Sequence, residues 1–311
     1  MNNGCVKKTV SVVITTYNAQ QTVARLLHSI YAQKGINELF TIEVIVVDDC
    51  SQDKTALIIK DCFPDVLFFE NEINTGGANK GRNRGLKIAS GEYICIADHD
   101  DEWIEDKIIR QLECTSDAPI VTSGYNLYDK ERNRKIVRVY GQSQEKKIYY
   151  KKNVTFLKIL SKDLKRQSTY IGSIMFHKSL KTILFEEEFG QLDFDWLLRI
   201  FENNTSVEAN LPLYNRYFDG SNLSVQKKYR ENDYQYGLLV LNRYRKKYPK
   251  EHRLGIKRIN GTYARYFYKI EEMKTARYYF VRSSFSMKTI LYILTSFVGY
   301  KWVKKHFNIF G

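Results

Sequence analysis

The sequence predicts an α/β fold: a mostly parallel sheet flanked by helices, followed by a basic α-helical C-terminal appendage. Three observations predict it. Between residues 9 and 113, short β-branched runs alternate with apolar segments at helical spacing. Three of those runs stop abruptly in polar or acidic residues, at 15–18, 48–51 and 98–101. Charge is also unevenly placed: residues 1–224 carry 29 Lys+Arg against 30 Asp+Glu, whereas residues 225–311 carry 20 against 5. The expected domains are therefore 1–224, an α/β domain, and 225–311, a basic helical region.

The first strand is TVSVVI, residues 9–14, ended by Thr15-Thr16-Tyr17-Asn18. Residues 20–32 follow as a helix, with Val23, Leu26, Leu27 and Ile30 on one face. IEVIVV, residues 42–47, is the second strand and ends at Asp48-Asp49-Cys50-Ser51; a helix over 53–62 begins at a Ser/Asp cap. Residues 66–69 form a third strand, 74–77 a turn and 78–89 a helix holding Arg82 and Arg84. Residues 93–97 are the fourth strand, and 103–113 read as a helix. Such alternation implies right-handed βαβ units, and ligands bind beyond the carboxyl ends of their strands.

Beyond residue 123 the alternation fails. Residues 126–139 read as a charged hairpin, 153–161 as a helix and 169–177 as a strand. Residues 193–203 form an amphipathic helix with Trp196, Leu197, Ile200 and Phe201 as its apolar face; 206–218 are extended and end at Asp219-Gly220-Ser221. In the basic region, 236–248, 259–280 and 289–307 read as helices. Tyr263, Tyr266, Phe267, Ile270 and Met273 recur there every three or four residues, the spacing of a helix–helix core.

Several classes are excluded. No G-x-x-x-x-G-K-[ST] loop or dinucleotide fingerprint is present, which argues against a P-loop or NAD enzyme. Five widely spaced cysteines without a C-x-x-C pair argue against a zinc site or a disulfide framework. The apolar run ILYILTSFV, residues 290–298, is shorter than the roughly 20 residues of a membrane span. The first strand follows the N-terminus almost directly, with no signal-peptide pattern, so the expected location is cytoplasmic.

The segment GEYICIADHDDEW, residues 91–103, concentrates the chemistry. It places Asp98, Asp100 and Asp101 at the end of a buried strand, where carboxylates repel one another and lose hydration. Hard divalent cations take such oxygen ligands and bridge to phosphates. Acidic residues also cap helices, so these residues alone leave both readings open.

Four motifs in order extend the case: SVVITTYNAQQTVARLLHSI, EVIVVDDCSQDKT, NTGGANKGRNRGLKIASGEYICIADHDDEW and LDFDWLLRI. With them, residues 9 to 224 resemble glycosyltransferase family 2, with its Rossmann-like GT-A fold. The resemblance implies an inverting, non-processive transferase using a nucleotide-sugar donor, expected to be a UDP-sugar. Thr15 and Tyr17 then lie where the base sits, Tyr17 stacking on it, and Asp49 accepts the pyrimidine N3–H. Arg82 is the basic residue of the family's A-R-N segment, implied to bind the donor nucleotide, and the small residue before it is here Gly81. Asp98 and Asp100 are the D-x-D pair: Asp98 faces the ribose or the metal, Asp100 ligates Mn²⁺ or Mg²⁺ at the diphosphate, and Asp101 is a further ligand or a support for one. His99 occupies the variable middle position. Asp193 is the implied general base, although Leu192 stands where the family has Glu. Asp195 is the alternative acid, about 200° around the helix from Asp193.

The basic region adds a partner. Residues 290–298, flanked by Lys288, Lys301, Lys304 and Lys305, fit an interfacial helix on an anionic membrane surface. Peripheral attachment to the inner face of the cytoplasmic membrane is the reading this adds, with no nucleic acid expected. The implied acceptor is a saccharide or lipid-linked saccharide in bacterial cell-surface polysaccharide biosynthesis. Two alternatives stand beside it: a sugar-1-phosphate nucleotidyltransferase, and a nucleic-acid-binding protein using the basic tail.

Overall fold

The computed structural model describes residues 7–139, 145–163, 167–218 and 226–306, the side chains of 304 and 306 apart. The expected strand end at Asp219-Gly220-Ser221, the expected domain limit at 224/225 and the last helix's expected end at Phe307 lie outside these residues. Two compact units are present. One holds the described residues up to 156 and from 167 to 218; the other holds 157–163 and the described residues from 226 onward.

The first unit is built on one sheet. Its strands are β1 (Lys8–Thr16), β2 (Phe40–Asp48), β3 (Leu67–Glu70), β4 (Tyr93–Asp98), β5 (Glu102–Trp103), β6 (Ile120–Asp129), β7 (Arg134–Arg138), β8 (Lys147–Tyr150), β9 (Met175–His177) and β10 (Ser206–Phe218). The helices of the chain are α1 (Val23–Tyr31), α2 (Thr55–Cys62), α3 (Ala78–Ile88), α4 (Lys107–Leu112), α5 (Val154–Leu160), α6 (Phe194–Phe201), α7 (Lys227–Arg243), α8 (Pro249–Lys269), α9 (Met273–Val281), α10 (Met287–Thr295) and α11 (Tyr300–His306).

The strand order is β3-β2-β1-β4-β9-β6-β10-β5, with β7 beside β6 and β8 beside β10. The run β3-β2-β1-β4 is parallel. Beyond β4 the sheet turns mixed: β9 enters antiparallel, and β6 and β10 pair in parallel. β1 is the pivot. Thr16 is opposite Asp48 on one side, and Thr15 is opposite Asp98 on the other. Strand order reverses at this point, so the crevice of an open α/β sheet opens above these three ends.

The β-branched content of β1 and β2 explains their burial on both faces: Val10, Val12, Val13, Ile14, Ile45 and Val46 are fully buried. In α1, the expected residues Val23, Leu26, Leu27 and Ile30 face this core. In α3, glycines set the packing distance. A Cβ at Gly85 would lie 2.4 Å from Val13 Cγ1, and one at Gly81 2.8 Å from Thr15 Cγ2. The helix lies this close to β1 because those two positions carry no side chain.

Several boundaries depart from the sequence reading. The helix predicted from residue 103 begins at Lys107, because Glu102–Trp103 pair antiparallel with β10 and the Ile104 amide donates to Leu213 O at 3.0 Å. Of the strand predicted over 169–177, only β9 forms; Ile171–Ser173 make a 3₁₀ turn before it. The hairpin predicted over 126–139 is β6 and β7. In the second unit, the helix predicted over 259–280 is two helices, broken where Glu271 takes a left-handed conformation at φ 63°. The helix predicted over 289–307 divides at Gly299, φ 99°. Tyr263, Tyr266, Phe267 and Met273 pack in that unit's core, whereas Ile270 is exposed.

Candidate active site

The β2 end is a turn locked by its first acid. Asp48 is fully buried and accepts from Thr16 Oγ1 at 2.6 Å, Ser51 N at 2.8 Å and Ser51 Oγ at 2.7 Å. These donors satisfy a carboxylate that would otherwise be costly to bury. Cys50, inside the turn, has a left-handed φ of 63°, a conformation sustained by the surrounding bonds. Asp49, the second acid, is also buried. Its amide donates to Thr16 O at 2.8 Å, and its carboxylate accepts from Asn71 Nδ2 at 2.9 Å and from the Thr75 amide at 3.0 Å on each oxygen. A carboxylate has about four acceptor positions, so Oδ2 can still receive a ligand donor. Thr15 is buried beside this turn, and Tyr17 stands out from it, 46% exposed.

The segment ANKGRNRG forms a seam. While Gly81 and Gly85 face β1, Asn79, Arg82 and Asn83 face the chain from Phe185 to Leu192. Their i, i+3, i+4 spacing puts them on one helix face. Asn79 Nδ2 donates to Glu186 O at 2.9 Å and Leu192 O at 3.1 Å, and its amide donates to Gly190 O at 2.8 Å. Asn83 Nδ2 donates to Phe185 O at 3.0 Å, and Asn83 Oδ1 accepts from the Phe185 amide at 2.7 Å. Gly77 meets Gly190 backbone to backbone: a Cβ on Gly77 would lie 2.5 Å from the Gly190 carbonyl carbon.

Arg82 joins this seam to the acidic corner. Its Nη2 donates to Asp98 Oδ1 at 3.0 Å, and its Nη1 donates to Asn79 Oδ1 at 3.2 Å and Gln191 O at 3.4 Å. The guanidinium lies over the Phe185 ring at 5.3 Å. Its Nε is buried with no partner among the described residues.

At the end of β4 the carboxyl groups behave unequally. Burial, and then the negative charge of Asp98, push the Asp100 carboxyl above its ordinary value. Asp101 is pushed up further by burial, against the pull of Arg216. His99 turns aside, its Nδ1 3.0 Å from Thr22 Oγ1. Among the described residues, no group of three or more His, Cys, Asp or Glu side chains forms a ready-made metal cage. The site does present two carboxylates, Asp98 and Asp100, with burial first and the charge of Asp98 second in raising Asp100. Carboxylate oxygens of this kind fit a hard divalent cation whose remaining ligands come from phosphate and water.

Asp193 precedes α6, half-buried, its carbonyl accepting from the Leu197 amide at 2.9 Å. Asp195 has a different setting. It is buried and accepts from Arg199 Nε at 2.6 Å, and Arg199 Nη2 donates onward to Leu184 O at 2.6 Å. Leu192 is buried. The bonds of Asn79, Arg82 and Asn83 therefore fix the backbone that delivers Asp193, one turn of chain from a guanidinium already bonded to Asp98.

Other residues at the site are not evident from the motifs. Arg25 Nη2 donates to Asp100 O at 2.5 Å, and its guanidinium stacks 4.1 Å over Tyr217. Arg216, from β10, lies 4.1 Å over Tyr170 and attracts both Asp100 and Asp101. Burial opposes its charge, but Tyr214 and Asp101 hold the guanidinium firmly protonated. Tyr214 Oη is buried beneath it with no partner among the described residues. An arginine within the aromatic strand segment LYNRYF is the one sequence signal that marks this group.

The model of the family described as glycosyl transferase family 2 matches residues 11–180, more than half of the chain. The chain is 30% identical over 139 residues to the succinoglycan biosynthesis protein ExoO of Rhizobium meliloti, covering 43% of this chain and 38% of that protein. It is 32% identical over 136 residues to the UDP-Glc:alpha-D-GlcNAc-diphosphoundecaprenol beta-1,3-glucosyltransferase WfaP of Escherichia coli, covering 44% and 52%. The matched region is about half or less of these relatives' length. Among solved structures, that of S. aureus TarS residues 1–349 in complex with UDP superposes with a TM-score of 0.63 at 18% identity, over 88% of this chain and 80% of that one. That likeness concerns the fold, which is GT-A. On the match of its ordered motifs over more than half its length, the chain belongs to glycosyl transferase family 2.

Proposed function

We propose that the chain is an inverting, non-processive glycosyltransferase acting in bacterial cell-surface polysaccharide biosynthesis. It would move a sugar from a nucleotide-sugar donor, a UDP-sugar, to a hydroxyl of a saccharide or lipid-linked saccharide. The observation that carries this reading is the Arg82 bridge, which ties Asp98 to the backbone at Gln191. It makes the acidic corner and the segment bearing Asp193 a single construction. The names of the relatives support the class: one belongs to succinoglycan synthesis, and another uses UDP-Glc and a diphosphoundecaprenol-linked sugar. The UDP complex of a structural neighbour supports a uridine donor.

In this reading Tyr17 stacks on the base beside Thr15, and Asp49 accepts its N3–H through the free side of Oδ2. Asp98 and Asp100 would hold Mn²⁺ or Mg²⁺, which supplies charge neutralisation for the departing nucleoside diphosphate. Arg82, bonded to Asp98 at 3.0 Å, would bind the donor nucleotide beside it. Asp193 takes the proton of the acceptor hydroxyl as its oxygen attacks the anomeric carbon. The new C–O bond forms on the face opposite the bond to the diphosphate, which breaks, so the anomeric configuration inverts. Lipid-linked acceptors lie at a membrane, and the basic region at 225–311 would draw the chain to an anionic surface.

A thermal-shift screen of nucleotide sugars with and without Mn²⁺ tests the donor, because a ligand that binds only the folded state raises its apparent stability. The best donor should give the largest metal-dependent shift, and turnover should release UDP. Pyrophosphate as the product would assign nucleotidyl transfer instead. Full transfer by the Asp100→Ala protein would overturn the metal assignment.

A further inference from the structure

The second unit carries a helix that is apolar on two opposite faces. In α10 the inner face is packed: Tyr292 stacks on Phe280 at 5.1 Å and meets Tyr268 edge-on at 5.0 Å. Ser296, which follows the helix, is buried and accepts from Arg277 Nη1 at 3.1 Å. Met287, Ile290, Leu291 and Leu294 follow the i, i+3, i+4, i+7 spacing of the other face. That face looks outward. Met287 is 81% and Leu294 61% exposed, Ile290 and Leu291 are only partly covered, and Phe285 and Phe297 flank the helix at 88% and 73% exposed. A helix that is apolar all round belongs inside a protein or in contact with lipid, and an exposed run of large apolar side chains marks a contact surface.

Charge selects the occupant. From Met273 to Gly311 the sequence holds seven Lys and Arg and no Asp or Glu. Lys288 and Lys301 are exposed at the ends of α10 and α11, and Arg277 lies 4.4 Å over the Phe297 ring. Glu271 pairs with Lys301 at 3.6 Å, but Lys288 and Arg277 leave the surface basic; a second copy of the chain would set it against its equal, and like charges would oppose the contact. An anionic bilayer supplies both an apolar layer and the opposite charge. Each Lys or Arg near such a surface adds to the attraction, and the apolar face enters the headgroup boundary.

We propose that the outer face of α10, with Phe285 and Phe297, inserts into the interfacial layer of an anionic phospholipid membrane. Lys288, Lys301 and Arg277 then lie at the level of the lipid phosphates. This deepens the membrane part of the proposed function and names its contact residues, while standing apart from the transfer chemistry.

The full chain is tested by flotation with phosphatidylcholine vesicles and with vesicles containing phosphatidylglycerol. It should float with the second and not the first, and added salt should weaken binding. Met287→Ser with Leu294→Ser should lower the partition onto phosphatidylglycerol vesicles by about tenfold or more, as two large apolar side chains leave the interface. Lys288→Gln with Lys301→Gln should also weaken binding while the melting temperature changes little, because the exposed pair of Lys301 with Glu271 contributes little to stability. UDP release in solution should be the same in all these proteins, which separates failure of docking from failure of the transferase reading. Equal binding to both vesicle types, or unchanged binding by the Met287→Ser, Leu294→Ser protein, overturns the proposal. So does vesicle-free self-association that this double substitution dissolves, which would give the face to a second copy.

Discussion

Arg82 and Asp98 form an ion pair at 3.0 Å, and the same guanidinium reaches Gln191 O at 3.4 Å. One buried side chain from α3 thus holds both the acid at the end of β4 and the chain leading to Asp193. Arg82→Lys keeps the charge but cannot fork to two acceptors. Expected outcomes are a fall in kcat/KM of about 100-fold and a stability loss of about 2 kcal/mol, the size of a lost hydrogen bond to a charged group. Steady-state kinetics and a urea titration check the two. An unchanged kcat/KM would separate the ion pair from activity.

The two acids flanking Phe194 should answer differently to amidation. Asp193→Asn is expected to lower transfer by about 1000-fold or more, as loss of a general base does, with donor binding by calorimetry unchanged. Asp195→Asn removes the buried partner of Arg199 at 2.6 Å. It should cost about 2–3 kcal/mol of stability, with residual activity following the folded fraction. A protein inactive as Asp195→Asn but active as Asp193→Asn would reverse the assignment.

The glycine seam can be tested by steric load. Gly77→Ala sets a methyl 2.5 Å from the Gly190 carbonyl carbon, and backbone there cannot yield cheaply. Gly81→Ala meets side chains alone, the Thr15 methyl at 2.8 Å and Val47 Cγ1 at 3.5 Å, which yield more readily than backbone. Gly77→Ala should therefore cost about 1–3 kcal/mol and displace the chain before Asp193, lowering kcat. Gly81→Ala should remain within about tenfold of the parent. Comparing kcat for the two proteins decides it.

Much of the first half of the fold is legible in the sequence because its signals are local. Runs such as TVSVVI and IEVIVV are buried strands in either reading, and Val23, Leu26, Leu27 and Ile30 face the core as their spacing requires. What is not legible depends on distant pairing. Trp103 reads as the start of a helix until Tyr214, more than a hundred residues away, takes it into a strand beside Glu102 and Asn215. The left-handed Glu271, without Gly or Pro to announce it, divides a continuous helical pattern. In the candidate site, the acids at the strand ends are visible, whereas Asn79 and Asn83 read as ordinary helix-surface residues. Only their partners at 185–192 give them a role. Arg216 is hidden likewise, because its place beside Asp100 and Asp101 comes from β10 joining the sheet.

Lys107 is the largest departure from a sequence-level reading, and it has a measurable consequence. A lysine on a short amphipathic helix would be expected at the surface, yet Lys107 is fully buried, donates to Gln111 Oε1 at 2.5 Å and lies 4.7 Å over Trp103. Burial lowers its pKa from 10.5 to about 8, against the opposing pull of Cys95 and Asp101. Between these values the unfolded chain binds more protons at this position than the folded one, so its contribution makes stability rise with pH from about 8 to about 10.5. Below pH 8 the amine is charged in both states and the folded protein carries the full burial cost, about 3 kcal/mol from the size of the shift. Cys95, raised from 9.0 to about 11 by burial, acts in the opposite direction above pH 9, so the rise should be clearest from pH 8 to 9. Lys107→Met keeps the volume and removes the charge. Its stability advantage over the parent should be greatest near pH 7 and shrink steadily above pH 8 in paired urea titrations. An advantage that stays constant from pH 7 to 10 would mean that the buried amine keeps its ordinary pKa and stays charged.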